Sequence, residues 1–463
     1  MRNWALALLA LSQLITALDF YIVIVALPDI AADLGFTPQN LQWVASAYAV
    51  IYGGFLMLGG RAADLLGRRR VFVAAMALFA LSSLAGGLAT SQGLLIAARA
   101  VQGVGGALLF PATLSLVNTL FEEGPARNRA LSVWSGVGAS GLAIGSLAGG
   151  LLTGWIGWEA VFYVNVPLAA IGMIAAFRVI PADGPREHGR RFDLTGAVLV
   201  TAGVTLLAFA LIQGPESGWG SPLIVWSFIV AAILLGAFVT VERHSRDPLM
   251  PLRLFRNRSL TSAILIILIF GATFMAQPYF LTVYFGQALG YGAVATGLAF
   301  VVPSLMITIG TQLSGRLAAR LGSRTLLLAG TLGGALGTAA LALGVSAGGS
   351  YWAILPGIVV MGISQGFTWN GMWIASATGV AAGEQGVASG MASTALQVGS
   401  AIGLAILVAA AGLGSATGAQ LAGGVRTALF ITAGGILLGS LVSLTFARKS
   451  ATTQAEEPVL VAA

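Results

Sequence analysis

The stretch "GRAADLLGRR" (Gly60–Arg69) returns, 255 residues later, as "GRLAARLGSR" (Gly315–Arg324). The two copies share Gly60/Gly315, Arg61/Arg316, Ala63/Ala318, Leu66/Leu321, Gly67/Gly322 and Arg69/Arg324. Each is a charged break between apolar runs, in a chain whose charged fraction is only 8%. A break repeated at the same place in two halves predicts two equivalent units side by side. In membranes, such parallel repeats are a transporter architecture, with the substrate site between them near the midplane.

Composition supplies the membrane. With 463 residues, 57% of them hydrophobic, and a mean hydropathy of +0.92, the chain carries more apolar surface than one soluble core can hide. The net charge of +7 sits in short breaks between apolar blocks, which fits membrane orientation and not nucleic-acid binding. Cysteine is absent, which removes disulfides, thiolate metal sites and a cysteine nucleophile. His188 and His244 are too few and too separate for a metal site, so no metal and no cofactor are expected.

Outward from the repeat, apolar blocks long enough to span a bilayer as helices follow one another. Fourteen are read, at about 5–27, 41–60, 71–90, 94–117, 131–153, 160–180, 194–213, 222–241, 260–282, 293–313, 325–346, 351–374, 387–411 and 427–446. The first block runs past Asp19 without a small-residue cleavage site and is kept as a span. The expected organisation is an all-α membrane protein: a six-helix half over 1–180, two inserted helices with their loops over 181–258, a second six-helix half over 259–448, and a disordered tail over 449–463. With both termini cytoplasmic, 21 of the 23 Lys and Arg residues fall inside, all but Arg99 and Arg426.

The motifs now carry a resemblance. "GRAADLLGRRR" is similar to the signature between helices two and three of the major facilitator superfamily. "LDFYIVIVALP" (18–28) resembles the first-helix signature of its fourteen-helix drug:proton antiporters, with Tyr21 and Ile24 where Thr and Asn are usual. "RAVQGVGGALLFPA" (99–112) resembles the fourth-helix motif with its buried arginine, and "WEAVFYVNVPL" (158–168) the sixth-helix entry. The fifth-helix antiporter signature appears as "GLAIGSLAGG" (141–150), with Ser146 in place of proline. The resemblance implies a major-facilitator fold and a multidrug-efflux antiporter in the cell membrane of a bacterium. It also implies that Asp64 meets the N-terminus of a helix in the opposite half, starting near Val387.

Read residue by residue, the candidates fall into three groups. For proton coupling, Asp19 is the one acid deep in a span, where ionised carboxylates are costly and mark relays; Arg99 is the matching buried cation. For substrate, Ser12 and Thr16 share the helical face of Asp19 and should look into the cavity between halves. Gln102, Phe274, Gln277, Gln365, Trp369, Asn370, Trp373, Ser393 and Gln397 add an aromatic and amide lining suited to amphipathic molecules. For the conformational switch, Gly60 and Gly67 should permit tight turns, Arg61, Arg68 and Arg69 should bind the cytoplasmic face and lipid headgroups, and Asp64 should make a contact specific to one state. Gly141, Gly145 and Gly149 should support sliding between the halves.

These readings point to a proton-driven exporter of amphipathic or hydrophobic small molecules, working as a monomer. The competing transport reading is a proton-coupled importer of a sugar or other metabolite. An integral membrane enzyme or receptor fits poorly: the spans hold no acid/base pair beyond Asp19 and Arg99, and no loop is long enough to fold as a domain. The sequence also holds no nucleotide-binding P-loop motif.

Overall fold

The computed structural model describes residues 2–36, 38–184, 193–245, 248–412 and 418–446. The expected tail (449–463) and most of the loop before the inserted helices lie outside the described residues. The helices are α1 (Arg2–Leu34), α2 (Pro38–Leu66), α3 (Arg68–Gly87), α4 (Gln92–Leu120), α5 (Pro125–Trp155), α6 (Ala160–Tyr163), α7 (Asn165–Val179), α8 (Leu194–Ser217) and α9 (Pro222–His244). They continue as α10 (Arg258–Thr273), α11 (Gln277–Val283), α12 (Ala293–Ala299), α13 (Val301–Gly344), α14 (Tyr351–Ala377), α15 (Gln385–Ala411) and α16 (Ala419–Ser443). Among the described residues, fourteen helical stretches are long and apolar enough to cross a membrane. Each coincides with one block read from the sequence.

The helices are inverted relative to a soluble protein. Asp19 is 0% and Arg99 1% exposed, whereas Leu336 and Leu343 are 71% and 75% exposed. Lipid solvates the apolar exterior, so polar groups gather where they can partner one another.

Local chemistry places the breaks. Gly67, at φ 101, turns the chain between α2 and α3, a conformation that costs glycine little. Glycine brings no capping side chain, so the first turn of α3 is capped from a distance: Asp183 accepts from the backbone N–H groups of Arg69 (3.0 Å) and Arg70 (2.9 Å). The second copy of the repeat does the same thing: Gly322, at φ 73, kinks α13 between the tenth and eleventh spans. Ser91, Asp193, Asn257 and Ser350 cap α4, α8, α10 and α14 with their own side chains.

Prolines account for two interruptions the hydropathy pattern hides. Pro278 has no N–H to offer the carbonyl of Phe274, and the ninth span breaks into α10, a 3-10 turn over Phe274–Ala276, and α11. Pro167 likewise withholds a bond from Tyr163, and the sixth span restarts as α7 at Asn165.

The first half packs α1 on α4, α5 and α7, α2 on α4, and α3 on α4 and α7. The second packs α10 on α14, α15 and α16, and α13 on α14 and α16. Two seams join the halves, α2 against α15 and α5 against α13. The inserted α8 and α9 pack on each other, and α8 lies on both α2 and α15, covering the first seam with a cluster that includes Met57, Val200, Val204, Val387 and Met391. Trp43 of α2 stacks on Phe209 of α8 at 5.8 Å between ring centroids.

Two expectations about glycine are corrected here. Gly60 is not in a turn: it lies inside α2, where a methyl group would meet the backbone carbonyl of Gly386. Its use is close approach of two helices. The stripe of Gly138, Gly141, Gly145 and Gly149 does not lie between halves but against Gln13, Ala17, Leu18 and Ile22 of α1, in the same half. Helical phase shows which residues share a face, not which neighbour that face meets.

Candidate functional site

The centre of the first half holds a fully enclosed ion pair. α1 delivers Asp19 and α4 delivers Arg99; one Arg99 Nη1 donates to Asp19 Oδ2 at 2.7 Å and to Gln102 Oε1 at 2.6 Å. Arg99 Nε donates to the carbonyl of Val44 at 2.9 Å, and the guanidinium lies 4.5 Å from the centroid of the Tyr48 ring. Tyr48 in turn stacks on Tyr52 at 5.5 Å. The other carboxylate oxygen, Asp19 Oδ1, accepts from Gln102 Nε2 and from Asn165 Nδ2, both at 2.8 Å. Gln102 Nε2 also reaches Ser83 Oγ at 2.7 Å.

Desolvating two charges costs several kcal/mol per ion, offset only where geometry is good and the remaining lone pairs are filled. Here the carboxylate takes three donors, from α4 and α7, and the guanidinium has a carboxylate, an amide, a backbone carbonyl and a ring face. The pair therefore ties α1 to α2, α4 and α7. Neutralising the carboxylate would leave Arg99 charged and short of its counter-ion, because a guanidinium keeps its proton.

Arg99 folds inward and does not snorkel. Gln102, expected as substrate lining, is instead a member of this network. Ser12 and Thr16 share the Asp19 face, but their hydroxyls donate to carbonyls of their own helix, Ser12 to Leu9 and Thr16 to Ser12 and Gln13. On that face, Asp19 meets partners of the first half, Arg99 and Gln102 of α4 and Asn165 of α7. Asn165, Ser83 and Tyr48 were missed by sequence reading. Asn165 lies in the quoted sixth-helix motif, and an amide inside an apolar block was its available signal.

At the first seam, Asp64 is enclosed, its side chain 0% exposed. Its Oδ1 accepts from the backbone N–H of Gly386 at 3.1 Å and its Oδ2 from that of Val387 at 2.9 Å, the first turn of α15, where the helix dipole favours an anion. Arg68 donates to Asp64 at 3.0 Å, to Ser115 at 2.9 Å and to the carbonyl of Ala382 across the seam at 2.6 Å. Arg69 donates to the carbonyl of Phe177 at 2.9 Å and lies over its ring, and Arg61 is buried. The expectation that these three arginines bind headgroups is corrected: Arg68 and Arg69 are spent on protein partners, and Arg61 is enclosed. Arg253 of the linker adds a 2.7 Å ion pair to Glu384, the residue before α15.

Among the described residues, the side-chain hydrogen bonds across the second seam are neutral. Asn370 Nδ2 donates to Ser132 Oγ at 3.0 Å across the halves and to Ser314 Oγ at 2.8 Å within its own. Gln312 and Thr308 donate to backbone carbonyls of Ser132 and Gly136 in α5, each at 3.3 Å. Gly315, the counterpart of Gly60, packs on Ser132. Beside it an aromatic layer crosses from one half to the other: Phe110 and Trp134 against Trp373, and Trp373 against Trp369 and then Phe270. Trp134 was also missed by sequence reading.

The remaining substrate candidates separate. Trp369, Asn370 and Trp373 come together at the second seam, with Gln365 half-buried on the same helix. Gln397 faces Gly53 of α2 at the first. Ser393 is buried and donates to the carbonyl of Ser389. Phe274 and Gln277 belong to the interior of the second half, Phe274 against Phe270 and Gln277 donating to Thr338 at 3.1 Å. They do not join the others.

The family model of the Major Facilitator Superfamily matches residues 9–404. The cephamycin export protein of Amycolatopsis lactamdurans is 39% identical over 90% of this chain and 87% of its own length. The puromycin resistance protein of Streptomyces alboniger is 37% identical over 88% of this chain and 81% of its own. A crystal structure of a human organic anion transporter superposes with a TM-score of 0.70 at 16% identity, covering 95% of this chain and 99% of that one, which speaks to the fold. With the repeated halves, the fourteen spans and the two seams, the chain belongs to the major facilitator superfamily and is a multi-pass membrane transporter, not an enzyme.

Proposed function

We propose that the protein exports amphipathic or hydrophobic small organic compounds from the cytoplasm across the plasma membrane in exchange for protons. The observation that carries the reading is the Asp19–Arg99 pair, enclosed in the bundle and held by amides on both sides. Acids within spans commonly serve proton relays. The direction rests on the relatives, one a cephamycin export protein and one a puromycin resistance protein.

In this reading both termini and the repeated motif face the cytoplasm, and a monomer needs no cofactor beyond the gradient. A proton reaching Asp19 from outside discharges the carboxylate and releases Arg99 from it, so α1 loosens against α4 and α7. The seam held by Asp64 then yields, and the cytoplasmic end opens. Substrate binds between the halves beside Trp369, Asn370, Trp373 and Gln397. One proton returning down roughly 100 mV and one pH unit releases about 3.7 kcal/mol, enough for a several-hundredfold gradient of a neutral compound.

The test is accumulation in inverted membrane vesicles of a compound picked from a resistance panel, with and without a protonophore. Uphill uptake into inverted vesicles that collapses with the protonophore is expected. Uptake into right-side-out vesicles marks an importer, and export indifferent to the protonophore removes proton coupling.

A further inference from the structure

Two amides donate to Asp19, and they are not equivalent. The Gln102 amide is locked: its carbonyl oxygen accepts from Arg99 and its nitrogen donates to Asp19 and Ser83. Turning it over would set its NH2 against the guanidinium. The Asn165 amide is tied at one end only. Its Nδ2 donates to Asp19 Oδ1, while its Oδ1 is buried with no hydrogen-bond partner among the described residues. This orientation is the one an ionised carboxylate imposes, since an amide oxygen facing it would be repelled. A buried acceptor left empty costs stability in this state.

We propose that Asn165 is the positioning residue that follows the proton on Asp19, its side-chain amide turning over when the acid is protonated. The proposal rests on the reading of Asp19 as the proton carrier. Protonation makes Asp19 a carboxylic acid whose O–H needs an acceptor. Half a turn about the Asn165 Cβ–Cγ bond places Oδ1 where Nδ2 stood, and the acid O–H donates to it. No covalent bond changes other than the O–H formed at Asp19 with a proton from solvent. Among the described residues, the charged and titratable groups beside Asp19 are Arg99 of α4 and Tyr48 of α2, with Tyr52 stacked behind Tyr48; none turns from donor to acceptor beside Asp19 as the amide does. Asn165 is the first residue of α7, two residues before Pro167.

The experiment is an infrared pH titration of the full protein in liposomes of phosphatidylethanolamine and phosphatidylglycerol, following the protonated-carboxyl band. The Asp19 component is the part of that band missing from Asp19→Asn, read as the difference between parent and variant, since the other carboxyls, Asp64 among them, are common to both; if nothing is missing there, the reading of Asp19 fails before Asn165 is tested. Asn165→Leu removes donor and acceptor while keeping the number and branching of heavy atoms. A bond to the charged form is worth more than one to the neutral form, so the band's midpoint should rise by roughly one pH unit. Its frequency should also change as the acid loses its acceptor. Asn165→Gln should return towards the parent, and Asn165→Ala provides the same comparison if the leucine variant does not fold. A midpoint unchanged or lowered in Asn165→Leu or Asn165→Ala, even with transport reduced, leaves Asn165 as packing only and overturns the proposal.

Discussion

The two seams between the halves occupy equivalent places in the repeat and are built differently. At the first, Gly60 lets α2 touch the backbone of α15, and an enclosed carboxylate closes on the first turn of that helix. At the second, Gly315 meets a side chain, Ser132, and neutral hydrogen bonds join α13 and α14 to α5. Charge-assisted bonds are about twice as strong as neutral ones. We therefore expect the first seam to act as a latch and the second, held by weaker neutral bonds, as a hinge. The inserted helices fit that division, since α8 lies along the latch.

Substitutions sharpen the contrast. The chain has no cysteine, so single cysteines at Glu122 and Gly383, on exposed turns of opposite halves at this end, report the separation of the halves by spin-label distances. The largest effect is expected for Gly60→Leu. A side chain there must displace backbone, at a cost of about 1 to 3 kcal/mol or more, so the short-distance population should fall by roughly tenfold to a hundredfold and transport with it. Asp64→Asn comes next. It keeps shape but loses the charge on the α15 dipole and the ion pair with Arg68, about 1 to 2 kcal/mol; the closed population should drop roughly tenfold and turnover should slow at unchanged protein level.

Asn370→Ala, at the hinge, removes neutral bonds worth about 0.5 to 1.5 kcal/mol each, and a fewfold effect on the same distances is expected. Gly315→Ala should also be felt, because a methyl group there would meet Ser132 Cβ as well as its Oγ, and only the Oγ can yield by a change of rotamer; the expected effect is smaller than that of Gly60→Leu, whose larger side chain faces the Gly386 backbone. Equal effects of Gly60→Leu and Gly315→Leu would erase the distinction between latch and hinge.

How much of this was legible in the sequence differs by level. All fourteen spans were, because lipid imposes a length and polarity that a window of residues shows directly. So was the repeat, down to the positive-φ glycines Gly67 and Gly322. The breaks at Pro167 and Pro278 were hidden, since both sit inside blocks whose hydropathy continues. At the site, Asp19, Arg99 and Asp64 stood out because charge in a span is rare. Gln102 was singled out but for substrate lining, and Asn165 was not singled out: an amide acquires its role from the neighbour it faces, and facing is decided by packing. The glycine stripe on α5 was visible as a stripe, yet its partner, α1, was not. Trp134 had no signal at all beyond being one more aromatic in an apolar helix.

Arg99 separates the latch from the coupling site. Arg99→Lys keeps the charge but cannot bond Asp19, Gln102 and the Val44 carbonyl together, so uphill transport should fall at least tenfold while the spin-label distances at the latch stay near those of the parent. Full activity in this variant would mean that a point charge suffices.

The central claim is that Asp19 carries the coupled proton, and it is tested most directly in proteoliposomes with an imposed pH gradient and an internal pH dye, using a neutral compound from the resistance panel. The parent should move protons against the compound and accumulate it uphill. Asp19→Asn should insert normally and still bind the compound, as read by tryptophan fluorescence, yet show neither proton movement nor uphill accumulation. Uphill accumulation by Asp19→Asn with the parental pH dependence would contradict the account.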